Sequence, residues 1–113
     1  KLDNLIVIVD YNKLQAMGKT NEILRIEPLK DKWLAFGWNV CIIDGHDFER
    51  IEGGIFGNEP EELNEFRKLS ESPSIIIANT IKGKGVSFME NDNSWHYRNI
   101  NKQSYELATK ELG

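Results

Sequence analysis

The 113-residue chain predicts an α/β domain, a parallel sheet flanked by helices, on three observations. Runs of consecutive apolar, largely β-branched residues lie at 5–9, 40–43 and 75–78, within candidate strands at 5–9, 38–43 and 74–79. Such runs mark strands buried on both faces, because a half-exposed strand would alternate. Helical patterns separate the runs. Each run then breaks into polar residues at its carboxyl end, where open parallel sheets bind their ligands.

Composition narrows the function classes. A hydrophobic content of 40% is enough for a core in about one domain of this length. A net charge of -4 without a basic run argues against nucleic acid or an anionic membrane as the main partner and favours small metabolites or proteins. The longest apolar run is too short to cross a bilayer, and the charged opening Lys1-Leu2-Asp3-Asn4 is not a signal peptide. A cytoplasmic setting is the default expectation. Cys41 is the single cysteine, so no intrachain disulfide can form, and its apolar neighbours predict a packed thiol. A central parallel strand needs neighbours on both sides. Entry straight into such a strand, with no initiator Met, predicts a piece of a larger domain.

The elements follow in order. Residues 5–9 form the first strand, and Asp10, Tyr11, Asn12 and Lys13 stand at its carboxyl end. Beyond Gly18 a helical region begins, with Thr20 or Asn21 capping a short turn through Glu22, Ile23 and Leu24. Pro28 suits the first turn of a second helix, where its missing N–H costs nothing. Leu29, Trp33, Leu34 and Phe36 form the apolar face of that helix, with both aromatics in the core, and Gly37 terminates it. Residues 38–43 make the second strand, and strand, helix and strand form a right-handed parallel crossover.

Asp44-Gly45-His46-Asp47 could suggest a metal site, but short polar residues with Gly also make a strand-to-helix turn and N-cap. The cap is the preferred reading, and His46 is no site candidate. Gly53, Gly54 and Gly57 weaken residues 48–58 as a helix, predicting a broken helix or a surface excursion. Asn58 can cap a further helix near Pro60, with Glu59, Glu61 and Glu62 at its positive end and Leu63, Phe66 and Leu69 buried. Residues 74–79 make the third strand. Asn101 begins an amphipathic helix to Leu112, with Tyr105, Leu107 and Ala108 on its packing face.

Two stretches carry chemistry. Asp10-Tyr11-Asn12-Lys13-Leu14-Gln15, following the apolar strand, offers an amide oxygen and a main-chain carbonyl at alternate positions of an extended segment, which can face one point. Hard divalent cations such as Mg2+ prefer such oxygens and share them with phosphate. Lys82-Gly83-Lys84-Gly85 sets two glycines beside two lysines, so that backbone and ammonium groups can approach a phosphate. Ser94-Trp95-His96 follows, after a polar stretch at 91–93 that reads as a mobile loop.

In order and spacing these stretches resemble the transketolase family, particularly the split kind made of two polypeptides. The likeness extends over almost the whole chain, including Glu-Pro-Leu-x-Asp-Lys-Trp at 27–33 and Ala-Phe-Gly-Trp at 35–38. It implies a three-layer α/β/α thiamine-diphosphate-binding fold, of which residues 1–113 are the C-terminal part, lacking the upstream Gly-Asp-Gly half of the motif. The resemblance implies that Asn12 and the Leu14 carbonyl ligate a divalent ion (Mg2+, or Ca2+ or Mn2+) holding the diphosphate. It places Lys82 beside the cofactor and gives His96 contact with the diphosphate and the reacting centre, as the catalytic residue.

The activity so implied is transfer of a two-carbon ketol unit from a ketose or ketose phosphate to an aldose. The partner so implied is a pyrimidine-binding C-terminal subunit, within a hetero- or homo-oligomer. Tyr97 and Arg98 replace the Gly and Lys that commonly follow this His in the family. Either the loop backbone accepts a side chain there, or the donor pocket differs. Two other readings are a subunit of another thiamine-diphosphate enzyme acting on 2-oxoacids, and a catalytically silent assembly subunit.

Overall fold

In the computed structural model, residues 2–56 and 71–113 are described. The expected helix from Asn58 and Pro60, with Leu63, Phe66 and Leu69, lies outside the described residues. The chain divides into two compact units, Lys1–Tyr11 with Ile26–Thr80, and Asn12–Arg25 with Ile81–Gly113. No described helix is long and apolar enough to cross a membrane.

Among the described residues, the first unit holds a three-stranded parallel sheet flanked by helices. Its strands are β1 (Ile6–Tyr11), β4 (Asn39–Asp44) and β5 (Ser74–Asn79), in the order β1-β5-β4. The register sets Val7 and Val40 beside Ile75, and Ile8 and Cys41 beside Ile76. Side chains alternate between the faces of a strand. One face therefore collects Tyr11, Val40, Ile75 and Ile77, covered by Leu29 and Trp33 of α2 (Leu29–Ala35) together with Ile26 and Trp38. The other collects Cys41, Ile43, Ile76 and Ala78, covered by Ile51 and Ile55 of α3 (Phe48–Phe56). Ile75 and Ile76 in the central strand are fully buried, each worth roughly 1.5–3 kcal/mol relative to exposure. Cys41 is a packed thiol at 3% exposure.

Several expectations need correction. β1 is not buried on both faces: it alternates, with Ile8 52% and Ile6 39% exposed. Among the described residues it pairs with β5 alone, and α3 packs over β4 and β5 rather than over Ile8. Phe36 is not core but 78% exposed. The helix stops at Ala35, so Phe36 leaves the Leu29–Trp33 stripe and touches Trp33 only edge-on, at 6.5 Å.

Residues 48–56 are neither broken nor an excursion, but the continuous helix α3. Gly53 and Gly54 are buried in it, and a Cβ on Gly54 would sit 3.1 Å from Ile76 Cδ1. Gly54 lets helix and sheet approach, at a cost in helix propensity of about 1 kcal/mol. Gly45 serves a similar purpose in the turn, where its N–H donates to the Asn79 carbonyl at 2.8 Å and an added Cβ would meet Ala78 Cβ at 3.0 Å. The cap reading of the same turn agrees with the structure: Asp44 Oδ1 accepts from the His46 N–H and Asp47 Oδ1 from the Arg50 N–H.

The second unit contains a hairpin of β2 (Leu14–Gln15) and β3 (Gly18–Lys19), then α1 (Thr20–Ile23), a 3-10 helix (Asn93–His96) and α4 (Lys102–Leu112). The N-cap of α1 is Lys19, without a side-chain bond, rather than Thr20 or Asn21. The Thr20 hydroxyl donates instead to the Lys13 carbonyl at 3.3 Å. α4 starts from a capping box, with Asn101 Oδ1 accepting from the Ser104 N–H and Ser104 Oγ accepting from the Asn101 N–H. Ala108 is its buried residue, whereas Tyr105, Leu107 and Leu112 remain 47–66% exposed. At its far end Glu111 accepts from the Ser87 N–H and hydroxyl, tying the helix to the 81–90 segment.

Candidate functional site

All four residues singled out by sequence, Asn12, Leu14, Lys82 and His96, fall in the second unit. Asp10 and Tyr11, which precede them, have structural duties in the first. Asp10 Oδ1 accepts from the Thr80 hydroxyl, and the buried Tyr11 hydroxyl donates to Glu27 Oε1.

Asn12 and Leu14 are joined directly. Lys13 adopts φ +62°, so the segment is a turn rather than the extended pair expected, and Asn12 Oδ1 accepts from the Leu14 N–H at 2.9 Å. Asn favours such a turn because its short amide can bond its own backbone two residues on. In the hairpin, Leu14 stands opposite Lys19 and Gln15 opposite Gly18, and the Thr20 N–H reaches the Lys13 carbonyl at 2.9 Å. Bonded and non-bonded pairs alternate along an antiparallel ladder. Lys13 therefore bonds toward the partner strand, and the Leu14 N–H and C=O face the opposite edge. Asn12 Oδ1 lies on that edge, so the two candidate oxygens share it.

This pair suits part of a hard-cation shell. The Asn12 oxygen has a second lone pair beyond the one given to Leu14, and both oxygens are neutral. Among the described residues no group of three or more His, Cys, Asp and Glu could hold a metal ion. A cation here would take its anionic ligands from elsewhere, as one bridging to a diphosphate does.

The second segment is built on its own backbone. Gly83 has φ +72°, and a Cβ there would lie 2.6 Å from the Met89 carbonyl oxygen, so glycine is required for the loop to close. The Lys82 carbonyl accepts from the Asn91 N–H at 2.9 Å. The two lysines differ: Lys84 is drawn to Glu90 at 3.9 Å, whereas half-buried Lys82 acts on Asp92. The Asp92 carboxyl is held below its usual range, chiefly by the Ser94 N–H and then by the Ser94 hydroxyl, with Arg98 and Lys82 adding to it. Asp92 Oδ1 caps the 3-10 helix through that N–H at 2.9 Å.

Arg98, just beyond the C-cap Tyr97, sits over the Trp95 ring, 5.2 Å from its centroid. Trp95 Nε1 donates to the Phe88 carbonyl at 3.0 Å, and the Phe88 and Trp95 rings lie 5.4 Å apart. This stack anchors the turn and leaves His96 and Tyr97 exposed.

Sequence reasoning missed the residue that links the two segments. Asn93 Nδ2 donates to the Ala16 carbonyl at 3.0 Å, joining the turn before His96 to the hairpin after Asn12. The family described as transketolase, thiamine diphosphate binding domain, matches residues 1–113. The chain belongs to the transketolase family.

Among transketolase relatives, the chain is 41% identical over 112 residues to the 6-deoxy-6-sulfo-D-fructose transketolase subunit SqwG of Clostridium sp. (strain MSTE9), covering 99% of this chain and 38% of that protein. It is 37% identical over 115 residues to one subunit of the apulose-4-phosphate transketolase of Phocaeicola vulgatus, covering 99% and 37%. The crystal structure of transketolase from Campylobacter jejuni superposes with a TM-score of 0.79 at 29% identity, over 100% of this chain and 16% of that one. The chain thus spans under two-fifths of the length of these curated relatives.

The departure from the transketolase pattern after His96 has a structural answer. Tyr97 sits at φ -119° and ψ -13°, a conformation open to any residue, so the loop backbone accepts a side chain where the family commonly has Gly.

Proposed function

We propose that residues 1–113 are the C-terminal part of the thiamine-diphosphate-binding domain of a split transketolase. That enzyme transfers a two-carbon ketol unit from a ketose to an aldose, in a cytoplasmic setting. Asn12 Oδ1 and the Leu14 carbonyl bind a divalent cation, Mg2+ or alternatively Ca2+ or Mn2+. Lys82 places positive charge beside the cofactor diphosphate, and His96 donates a hydrogen bond to the diphosphate and handles a proton at the reacting centre. The bound cofactor supplies the electron-sink chemistry that breaks and remakes a carbon–carbon bond beside a carbonyl. The chain's own groups bind and orient it and balance its charge.

The observation that carries this reading is the shared edge of Asn12 Oδ1 and the Leu14 carbonyl, in a hairpin bonded through Ala16 to Asn93. Names of the relatives support the finer assignments. Two are called subunits, which favours a partner polypeptide carrying the pyrimidine-binding domain, in a hetero- or homo-oligomer. Their named substrates bear a sulfo or a phosphate group, so the ketose proposed here is of that anionic class.

The test is a substrate screen of the full-length subunit with its partner subunit, thiamine diphosphate and Mg2+. Ketose phosphates or sulfonates should be turned over with an aldose acceptor. Turnover of 2-oxoacids alone would replace the transketolase reading, and no cofactor binding at all would point to an assembly subunit.

A further inference from the structure

Tyr97 has no part in the function proposed so far, and its surroundings give it one. The 3-10 turn is fixed from one side by the Phe88, Trp95 and Arg98 stack and closed by the Tyr97 and Arg98 N–H groups, both donating to the Ser94 carbonyl, at 3.3 and 3.1 Å. The backbone carrying His96 is thereby held. Its imidazole is exposed, and backbone anchoring leaves rotation about the side-chain bonds open. Beside it stands the Tyr97 ring, whose centroid lies 4.6 Å from that of His96 at an interplanar angle of 86°. This T-shaped arrangement is the one aromatic quadrupoles favour.

From this contact we infer that Tyr97 is a positioning residue for His96, selecting one orientation of its imidazole. The role rests on the proposed use of His96 and adds a residue to it. Glycine at this position would leave the imidazole without an aromatic wall. Tyr97 itself remains 73% exposed, and its αR backbone is free of strain, so the side chain can be replaced without disturbing the turn. The contact belongs to the ring, and phenylalanine retains it.

The experiment uses the full-length subunit with its partner, labelled with 13C at histidine Cε1. The His96 signal is assigned by its disappearance in His96→Ala. Tyr97→Ala should move that signal toward the position of free imidazole and lower kcat by roughly 3- to 10-fold, the worth of one such aromatic pair, with donor KM changing less. Tyr97→Phe should recover both readouts. An inactive His96→Ala enzyme beside a Tyr97→Ala enzyme with unchanged signal and turnover would remove Tyr97 alone. Normal turnover by His96→Ala would instead overturn the parent assignment, and the positioning role with it.

Discussion

The side-chain amide of Asn93 is bonded to the main-chain carbonyl of Ala16 across 77 residues of sequence, at 3.0 Å. It ties the segment that ends in His96 to the hairpin that begins at Leu14. A net hydrogen bond of this kind contributes about 0.5–1.5 kcal/mol. Asn93→Ala should therefore weaken thiamine diphosphate binding by the full assembly several-fold while leaving helix content unchanged. Calorimetry beside circular dichroism checks both; unaltered affinity would mean that the two segments need not be tied.

Gly83 and Gly37 both have positive φ, +72° and +79°, but only Gly83 faces an obstacle. An alanine at 37 meets nothing within 4 Å and should cost about 1–2 kcal/mol, from backbone conformation alone. At 83 the added Cβ runs into the Met89 backbone at 2.6 Å, so the cost should exceed that of Gly37→Ala by roughly 1–3 kcal/mol. Chemical denaturation of the two variants measures the difference, and equal losses would contradict the loop-closure role of Gly83.

Glu111 is held below its ordinary value of 4.5, chiefly by the Ser87 N–H and next by the Ser87 hydroxyl. Because the folded value lies below the unfolded one, the tether is fully present above the ordinary carboxylate range. It is lost as pH falls through the lowered value. Hydrogen exchange at the Ser87 amide should show wild-type protection falling toward that of Glu111→Gln under acid. If the two proteins already exchange alike at neutral pH, the tether does not exist in solution.

Much of the sheet was legible from sequence because unbroken runs such as Ile75-Ile76-Ile77 have few alternatives to a buried strand. The same rule overstated β1 within this chain, since a run of apolar residues does not reveal that the described residues pair it on one side and leave Ile8 uncovered. Propensity misread α3, where Gly54 answers to the proximity of Ile76 rather than to helix preference. The β2–β3 hairpin was invisible because two-residue strands carry no periodicity.

At the site, Asn12 was singled out by the family resemblance on a segment whose place after a strand drew attention, and the turn that joins it to Leu14 agrees with ordinary Asn chemistry. Asn93 was passed over as part of a polar stretch. Nothing local in Asn91-Asp92-Asn93 announces a bond to Ala16, and only tertiary structure distinguishes it from its neighbours.

Calorimetric titration of thiamine diphosphate into the full assembly, at a series of Mg2+ concentrations, tests the role of Asn12 most directly. Loss of a cation ligand should leave Asn12→Ala binding the cofactor roughly 10- to 100-fold more weakly than wild type at a given Mg2+ concentration, by analogy with the loss of groups supporting metal sites. Superimposable isotherms for the two proteins across the Mg2+ series would contradict a cation held by Asn12.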